Sequence, residues 1–374
     1  VKSGISFLLL CFVLAFYRCK DPYYPPVNNK PLNYLVVEGY ITSDTVTVIR
    51  LTRTRKISKD DTAQKVAETN ANVFVEDDHG NAYPLSENSA GTYEMPARIL
   101  NFSYKYRLNI TLANGKNYLS DFVPFEQSPV INGIDWTFKN SGLQVYINTV
   151  GRQNESPYYR WVIEGAWEYH TPFVSGLQYD PMSGAVMPRT NDVHICWVSD
   201  NSTNVILGST ASAKNNVLHG QLIFFPNHDR RLSVKYSAFV TQYLLDSSAY
   251  NFWKAMKSNT EDIGSIFDNQ PNQAPGNIHC TTDSTETVVG YIGAGNTAQF
   301  RGFIDNSVLP PTWNLSTGCI TTFVPGDSAQ YYFPYGYVPL YEEYVNRKKG
   351  WSSTLTECGD CTYLGTNVKP SFWP

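Results

Sequence analysis

The sequence predicts a mainly β protein: an N-terminal immunoglobulin- or transthyretin-like β-sandwich, then a larger antiparallel β-sandwich domain carrying one short α-helix. Three observations lead there. Apolar residues recur with a period of two along many short segments, which places alternate side chains on one face of a strand. Gly, Pro, Asn and Asp punctuate those segments as turns. Only the stretch from Leu244 to Asn277 carries a helical period, and it stands alone in the chain. The 374 residues are enough for about two domains with separate cores.

Residues 1–18 read as a signal peptide. Lys2 supplies the positive start, and Ile5 to Phe16 is an apolar run too short to span a bilayer comfortably. Cys19 stands where a lipoprotein signal is cut and the new N-terminal cysteine is acylated. Arg18 occupies the place where a small residue is usual, so an ordinary secretory peptide cut nearby is the alternative. Residues 19–33 read as an exposed tether, because Pro22, Pro25 and Pro26 favour an extended spacer. Lys20-Asp21 resembles the charged tags that follow the lipidated cysteine in surface lipoproteins of Bacteroidetes. Several acyl chains on Cys19 would make a stable anchor. No later segment is apolar over about 18 consecutive residues, the length a spanning helix needs.

The first folded domain is expected over 34–125. Leu35 to Ile41 and Thr45 to Thr52 are strands by composition, and Asn72 to Glu76 returns through Asp77-Asp78-His79-Gly80-Asn81 into Ala82 to Leu85. Gly91 to Glu94 is a short strand. In Tyr104 to Leu112, Tyr104, Tyr106, Leu108, Ile110 and Leu112 share one face. Asn114-Gly115 marks a tight turn into Lys116 to Phe122. The acidic turn at Glu76 to His79 reads as solvated, since an oxygen-ligated calcium site needs six or more ligands.

Pro124 to Pro129 is expected as a linker, opening a second domain over 126–374 with a Cys-rich tail. Tyr159, Trp161, Ile163, Gly165, Trp167 and Tyr169 alternate with Arg160, Glu164 and Glu168, a long strand with an aromatic face. Leu232 to Leu245 runs directly into the helix, expected near 247–258. Asp246 or Ser247 is its N-cap, and Ala249, Phe252, Trp253 and Met256 form its apolar face. Gly264, Pro271, Pro275 and Gly276 end it in a long loop. Strands are expected again at Thr287 to Ile292, Ala298 to Asp305 and Cys319 to Val324.

The net charge of −4 gives no electrostatic footprint for nucleic acid. Beyond Cys11 and Cys19, the candidate disulfide cysteines are Cys196, Cys280, Cys319, Cys358 and Cys361. An exported chain favours bonds over metal ligation, and one thiol of the five is left over. Which pairs form stays open. A redox role for Cys358-Gly359-Asp360-Cys361 needs a preceding strand and a helix, and neither is expected there. A four-thiolate zinc site has knuckle spacing in only one of its two pairs. The histidines, His79, His170, His194, His219, His228 and His279, are scattered, with no pair at helical ligand spacing. Gly293 to Ala298 matches a dinucleotide fingerprint only on paper, since a strand follows it where a helix is required. No catalytic, cofactor-binding or metal-binding residue is assigned. The segment from Gln330 to Tyr341 is expected as a surface loop, and Tyr331, Tyr332, Phe333, Tyr335, Tyr337 and Tyr341 are candidate ligand or partner aromatics.

Several short motifs, in order, resemble one family. They are Leu35 to Ile41, Phe252-Trp253-Lys254, Phe267 to Pro271 with Gly276-Asn277-Ile278, Gly290-Tyr291, Cys358 to Cys361, and the ending Gly365 to Trp373. Together they resemble the Bacteroidetes lipoproteins of domain of unknown function 4249. The resemblance implies an outer-membrane lipoprotein with β-sandwich domains, often encoded beside TonB-dependent receptors, with no established enzymatic activity or site residues. The expectation is a lipid-anchored outer-membrane protein, a non-enzymatic binding or accessory component of a TonB-dependent transporter system for ligand capture or uptake. Alternatives are a structural or adhesive surface protein and a glycan-active enzyme whose carboxylates the sequence does not place.

Overall fold

The computed structural model describes residues 33–55, 66–153, 155–261, 276–313 and 317–374. Cys19, the signal segment, most of the tether and the Pro/Gly stretch after the helix lie outside them. The described residues are mainly strand, and their one long helix is Ser247–Thr260. None of their helices is long and apolar enough to cross a membrane.

In the N-terminal unit the period-two pattern holds. Tyr106, Leu108 and Ile110 of Lys105–Thr111 point into a core with Leu35, Val37, Ile49, Leu51, Tyr93 and Tyr118. The Asn114-Gly115 turn forms as expected, with Gly115 at φ 83° and the Asn114 side chain accepting from the Lys116 N–H. The strands make a barrel-like circuit. From Lys105–Thr111 the hydrogen bonds run through Asn72–Asp77, Ala82–Ser89, Thr92–Met95, Thr47–Arg53 and Leu35–Thr42. They continue through Ala294–Asn296 and Val123–Gln127, then return to Lys105–Thr111.

Two features of this circuit are invisible locally. Val123–Gln127, which overlaps the expected linker, is a barrel strand. Residues 278–296, expected in the second domain, supply strands to the first sheet. Ala294–Asn296 lies parallel between Leu35–Thr42 and Val123–Gln127, and Ile278–Cys280 extends the far edge beside Asn117–Ser120. Parallel neighbours require a long crossover, so no turn motif announces them. The strand expected over Thr287 to Ile292 shrinks to Val288–Val289. At Gly290 (φ 142°) a Cβ would stand 2.2 Å from the Val37 carbonyl oxygen, so only glycine lets the inserted segment lie this close.

The second unit is a two-layer sandwich. One layer is Ile131–Lys139, Gly142–Val150 and Val217–Pro226. The other is Ile195–Asn201, Tyr158–His170, Lys235–Leu245 and Ala298–Asp305, with Ile206–Ser209 also beside the long strand. Leu143, Val145 and Ile147 meet Tyr159, Trp161 and Ile163 in its core. The buried Trp161 indole donates to Gln242 (2.9 Å), and Gln242 donates to the Pro129 carbonyl (2.7 Å), which pins the junction between the two units.

A third, smaller sheet follows: Thr322–Pro325, Lys348–Leu355 and Tyr337–Val345. Here two expectations are corrected. The segment 330–341 is not all loop, because a helical turn (Ala329–Tyr332) leads through Phe333–Tyr335 into a strand that tolerates Pro339 at a bulge. A strand and a one-turn helix, Thr356–Gly359, do precede Cys361, but Cys358 and Cys361 belong to different disulfides and so form no redox pair. The bonds are Cys196–Cys361 and Cys319–Cys358, and Cys280 is the buried free thiol. The tail lies on the sandwich, with Thr366 bridging Trp197 and the Trp373 indole donating to Glu168 (2.9 Å).

Candidate functional site

The site begins with strand alternation. Tyr159, Trp161 and Ile163 point into the sandwich core, so Arg160, Val162 and Glu164 point out. The antiparallel register sets Arg160 beside Tyr243, Val162 beside Thr241 and Glu164 beside Phe239. Facing this surface is the outer side of the first barrel strand, with Val36, Glu38 and Tyr40. The helix closes one end. Asp246 caps it by accepting from the Ala249 N–H (2.7 Å) and also receives the Tyr291 hydroxyl (3.2 Å), which fixes the helix against the inserted segment. Phe252, Trp253 and Met256, the predicted apolar face, then lean over the sheet. These elements enclose a cleft of about 650 Å³.

At the helix end of the cleft sits Arg160. Its guanidinium carbon lies 3.8 Å from the Trp253 ring centroid and 5.5 Å from that of Tyr243. Its Nε is buried and has no hydrogen-bond partner. Among the described residues no carboxylate is within ion-pair distance, whereas Arg53, Arg107, Arg152, Arg189 and Arg231 each have one. Burial lowers the Arg160 pKa from its ordinary value. Cation–π contacts return about 0.5–2 kcal/mol. Withdrawing a charge from water costs several kcal/mol, so the rings offset that cost only in part.

Neighbouring polar groups share this state. Tyr40 packs edge-on to Tyr243 at 5.0 Å, and its buried hydroxyl has no partner. Burial first, and Glu126 second, raise its pKa well above the usual phenol value. Burial, then Asp246, likewise raises the Glu126 carboxyl.

The aromatics singled out by sequence lie elsewhere and divide in two. Phe333 is buried in a small core with Val324 and Ala329, and Tyr337 packs against it. Tyr332 meets Tyr337 at 5.4 Å, while Tyr331, Tyr335 and Tyr341 are exposed. The acidic turn is more closed than expected. Asp77 is buried and accepts from the backbone of His79 and Asn81, the Asn81 amide and the Tyr83 hydroxyl. Among the described residues no three His, Cys, Asp or Glu side chains are grouped to hold a metal ion. Sequence reasoning missed Arg160. Its signal was an arginine on the outer face of a strand whose cross-strand partner is aromatic.

A family model for the domain of unknown function DUF4249 matches residues 20–301. This chain belongs to the DUF4249 family. Every residue lining the cleft falls inside the matched span of the DUF4249 protein, while the small third sheet falls beyond it. No curated protein matches. Among solved structures it is similar to a pullulanase of Anoxybacillus sp. LM18-11 complexed with maltotriose. That match has 11% identity and a TM-score of 0.15, over 56% of this chain and 24% of the pullulanase. It is also similar to a two-domain fibronectin type-III segment of chicken tenascin. Here identity is 10% and the TM-score 0.17, over 73% of this chain and 99% of that one. The chain thus spans about a quarter of the pullulanase.

Proposed function

We propose that this DUF4249 chain is a non-enzymatic binding lipoprotein of the outer membrane. Cys19 anchors it, and it captures a small ligand in the cleft for an associated TonB-dependent transporter. The observation that carries the binding role is the cleft itself, with a half-buried cation stacked on aromatic rings and without an ion-pair partner among the described residues. A fold gains nothing from keeping such a group unless something else completes it. The anchor is supported by the apolar run from Ile5 to Phe16, by Cys19 and by the proline-rich tether, in the manner of Bacteroidetes lipoproteins. On this reading the N-terminal unit is an immunoglobulin- or transthyretin-type sandwich closed by the inserted strand Ala294–Asn296.

The test has two parts. Mass spectrometry of the mature N-terminus is expected to find an acylated Cys19; an unmodified, soluble chain overturns the anchor. Extraction in mild detergent is expected to recover a barrel transporter with the protein; recovery alone overturns the partnership. An adhesive role is the second reading, favoured by the exposed Tyr331, Tyr335, Tyr341 and Tyr344 on the third sheet. It predicts a change in surface attachment on deletion, where the transport role predicts a growth defect on one nutrient.

A further inference from the structure

The lining of the cleft narrows the ligand chemistry it can receive. Arginine offers a planar fork of five N–H donors that matches a carboxylate with two parallel bonds. In Arg160 the fork lies over the Trp253 ring at 3.8 Å and 5.5 Å from that of Tyr243, and its Nε is buried without a hydrogen-bond partner. Arg50, on the facing wall, stands opposite Glu38 in the strand register. Glu164 is four residues along the strand from Arg160, about 13 Å away at a strand's rise, too far to neutralise it. Of the two arginines in the lining, Arg160 is the one stacked on aromatic rings, and a single guanidinium fork suits one carboxylate. A phosphate dianion gathers several donors. Beyond Arg160 the floor is Val162, Thr241 and Phe239, a surface for an apolar or aromatic body. The volume, about 650 Å³, is that of a small-molecule site and not of a polymer groove.

We propose that the cleft binds a small organic monocarboxylate, with Arg160 taking the carboxylate and the Val162–Phe239 floor taking its apolar body. This inference rests on the cleft being the ligand site, and it adds the chemical class.

The experiment titrates the full mature chain by calorimetry with 2-naphthoate and with neutral, isosteric 2-naphthamide. Wild type is expected to bind the naphthoate at least tenfold more tightly. Arg160→Gln is expected to weaken naphthoate at least tenfold and leave naphthamide unchanged. Arg160→Lys, which keeps the charge and loses the fork, falls between the two, and Val162→Trp, which fills the floor, weakens both probes. Equal affinity of wild type for the two probes overturns the carboxylate assignment and leaves the cleft standing as a ligand site. Arg160→Gln binding both probes as wild type does has the same consequence. Binding of neither probe, or binding untouched by Val162→Trp, overturns the cleft reading and the assignment with it.

Discussion

Arg160 and Arg231 are two half-buried arginines set against aromatic rings, and they have opposite surroundings. Arg231 lies over Phe225 at 4.7 Å and is fully engaged. It donates to both oxygens of Asp229 (3.0 and 2.7 Å) and to Asp200 (2.9 Å), which also accepts from the Tyr236 hydroxyl. Burial alone would lower its pKa, but Asp229 and Asp200 more than reverse that and raise it. Arg160 has the rings but, among the described residues, no carboxylate partner, and burial lowers its pKa. The first arginine closes one end of a core. The second holds a charge open. The difference lies in the counter-ion: burial lowers both pKa values, and of the two only Arg231 has recorded carboxylate partners that reverse it.

The largest test of this contrast is at the closed region, where Cys196–Cys361 ties the tail to the strand that carries Asp200. Its sequence separation is 165 residues, against 39 for Cys319–Cys358. Replacing Cys196 and Cys361 together by serine should cost about 3–4 kcal/mol in urea unfolding, more than the other pair. It should leave cleft binding intact below the transition. The arginines come next. Arg231→Ala strands two aspartates and should cost about 2 kcal/mol, less than the ~3–5 of a fully buried pair because it keeps some water contact. Arg160→Leu removes an unpaired charge and should change stability by less than about 1 kcal/mol in either direction. Equal losses for the two would erase the distinction between lock and receptor.

The smallest effects are in pH. For Asp77, burial pushes the carboxyl up, but hydrogen bonds led by Asn81 outweigh it and the pKa falls. Its stabilisation is therefore present above the unfolded value, about 4, and is lost as the pH drops through the lower folded value. Asp77→Asn should cost about 1 kcal/mol at neutral pH and progressively less in acid. Glu126 has the opposite sign. Its folded pKa is raised, so it withdraws stability as the pH rises above the unfolded value, about 4.3. Glu126→Gln should stabilise at neutral pH and be silent below about pH 4. Denaturation midpoints from pH 3 to 8 separate the two, and parallel profiles would contradict the contrast.

Much of this architecture was legible from short-range pattern. The choice of Asp246 over Ser247 as the helix cap came from the structure, while the helix itself, with its Phe252, Trp253 and Met256 face, follows from spacing. So do the strand from Lys105 to Thr111, the Asn114-Gly115 turn and the aromatic inner face of Tyr158–His170. Each depends on residues within a few positions of one another. The site was only half legible. Trp253 read as part of the apolar helix face and Arg160 as one polar residue among several, because the surroundings of a charge are a property of space and not of neighbours in the chain. The tyrosines of 331–341 drew attention through composition, which does not separate the buried Phe333 from the exposed Tyr335.

By itself the sequence determined that the chain is strand-built, where its one long helix starts, and which faces of its strands are apolar. Those are consequences of backbone period and local hydrogen bonding. The tertiary structure alone decided that residues 278–296 complete the first sheet, that Cys280 is the spare thiol, and that Arg160 meets Trp253. Each of these joins segments tens of residues apart, and contacts of that range are set by how whole sheets pack.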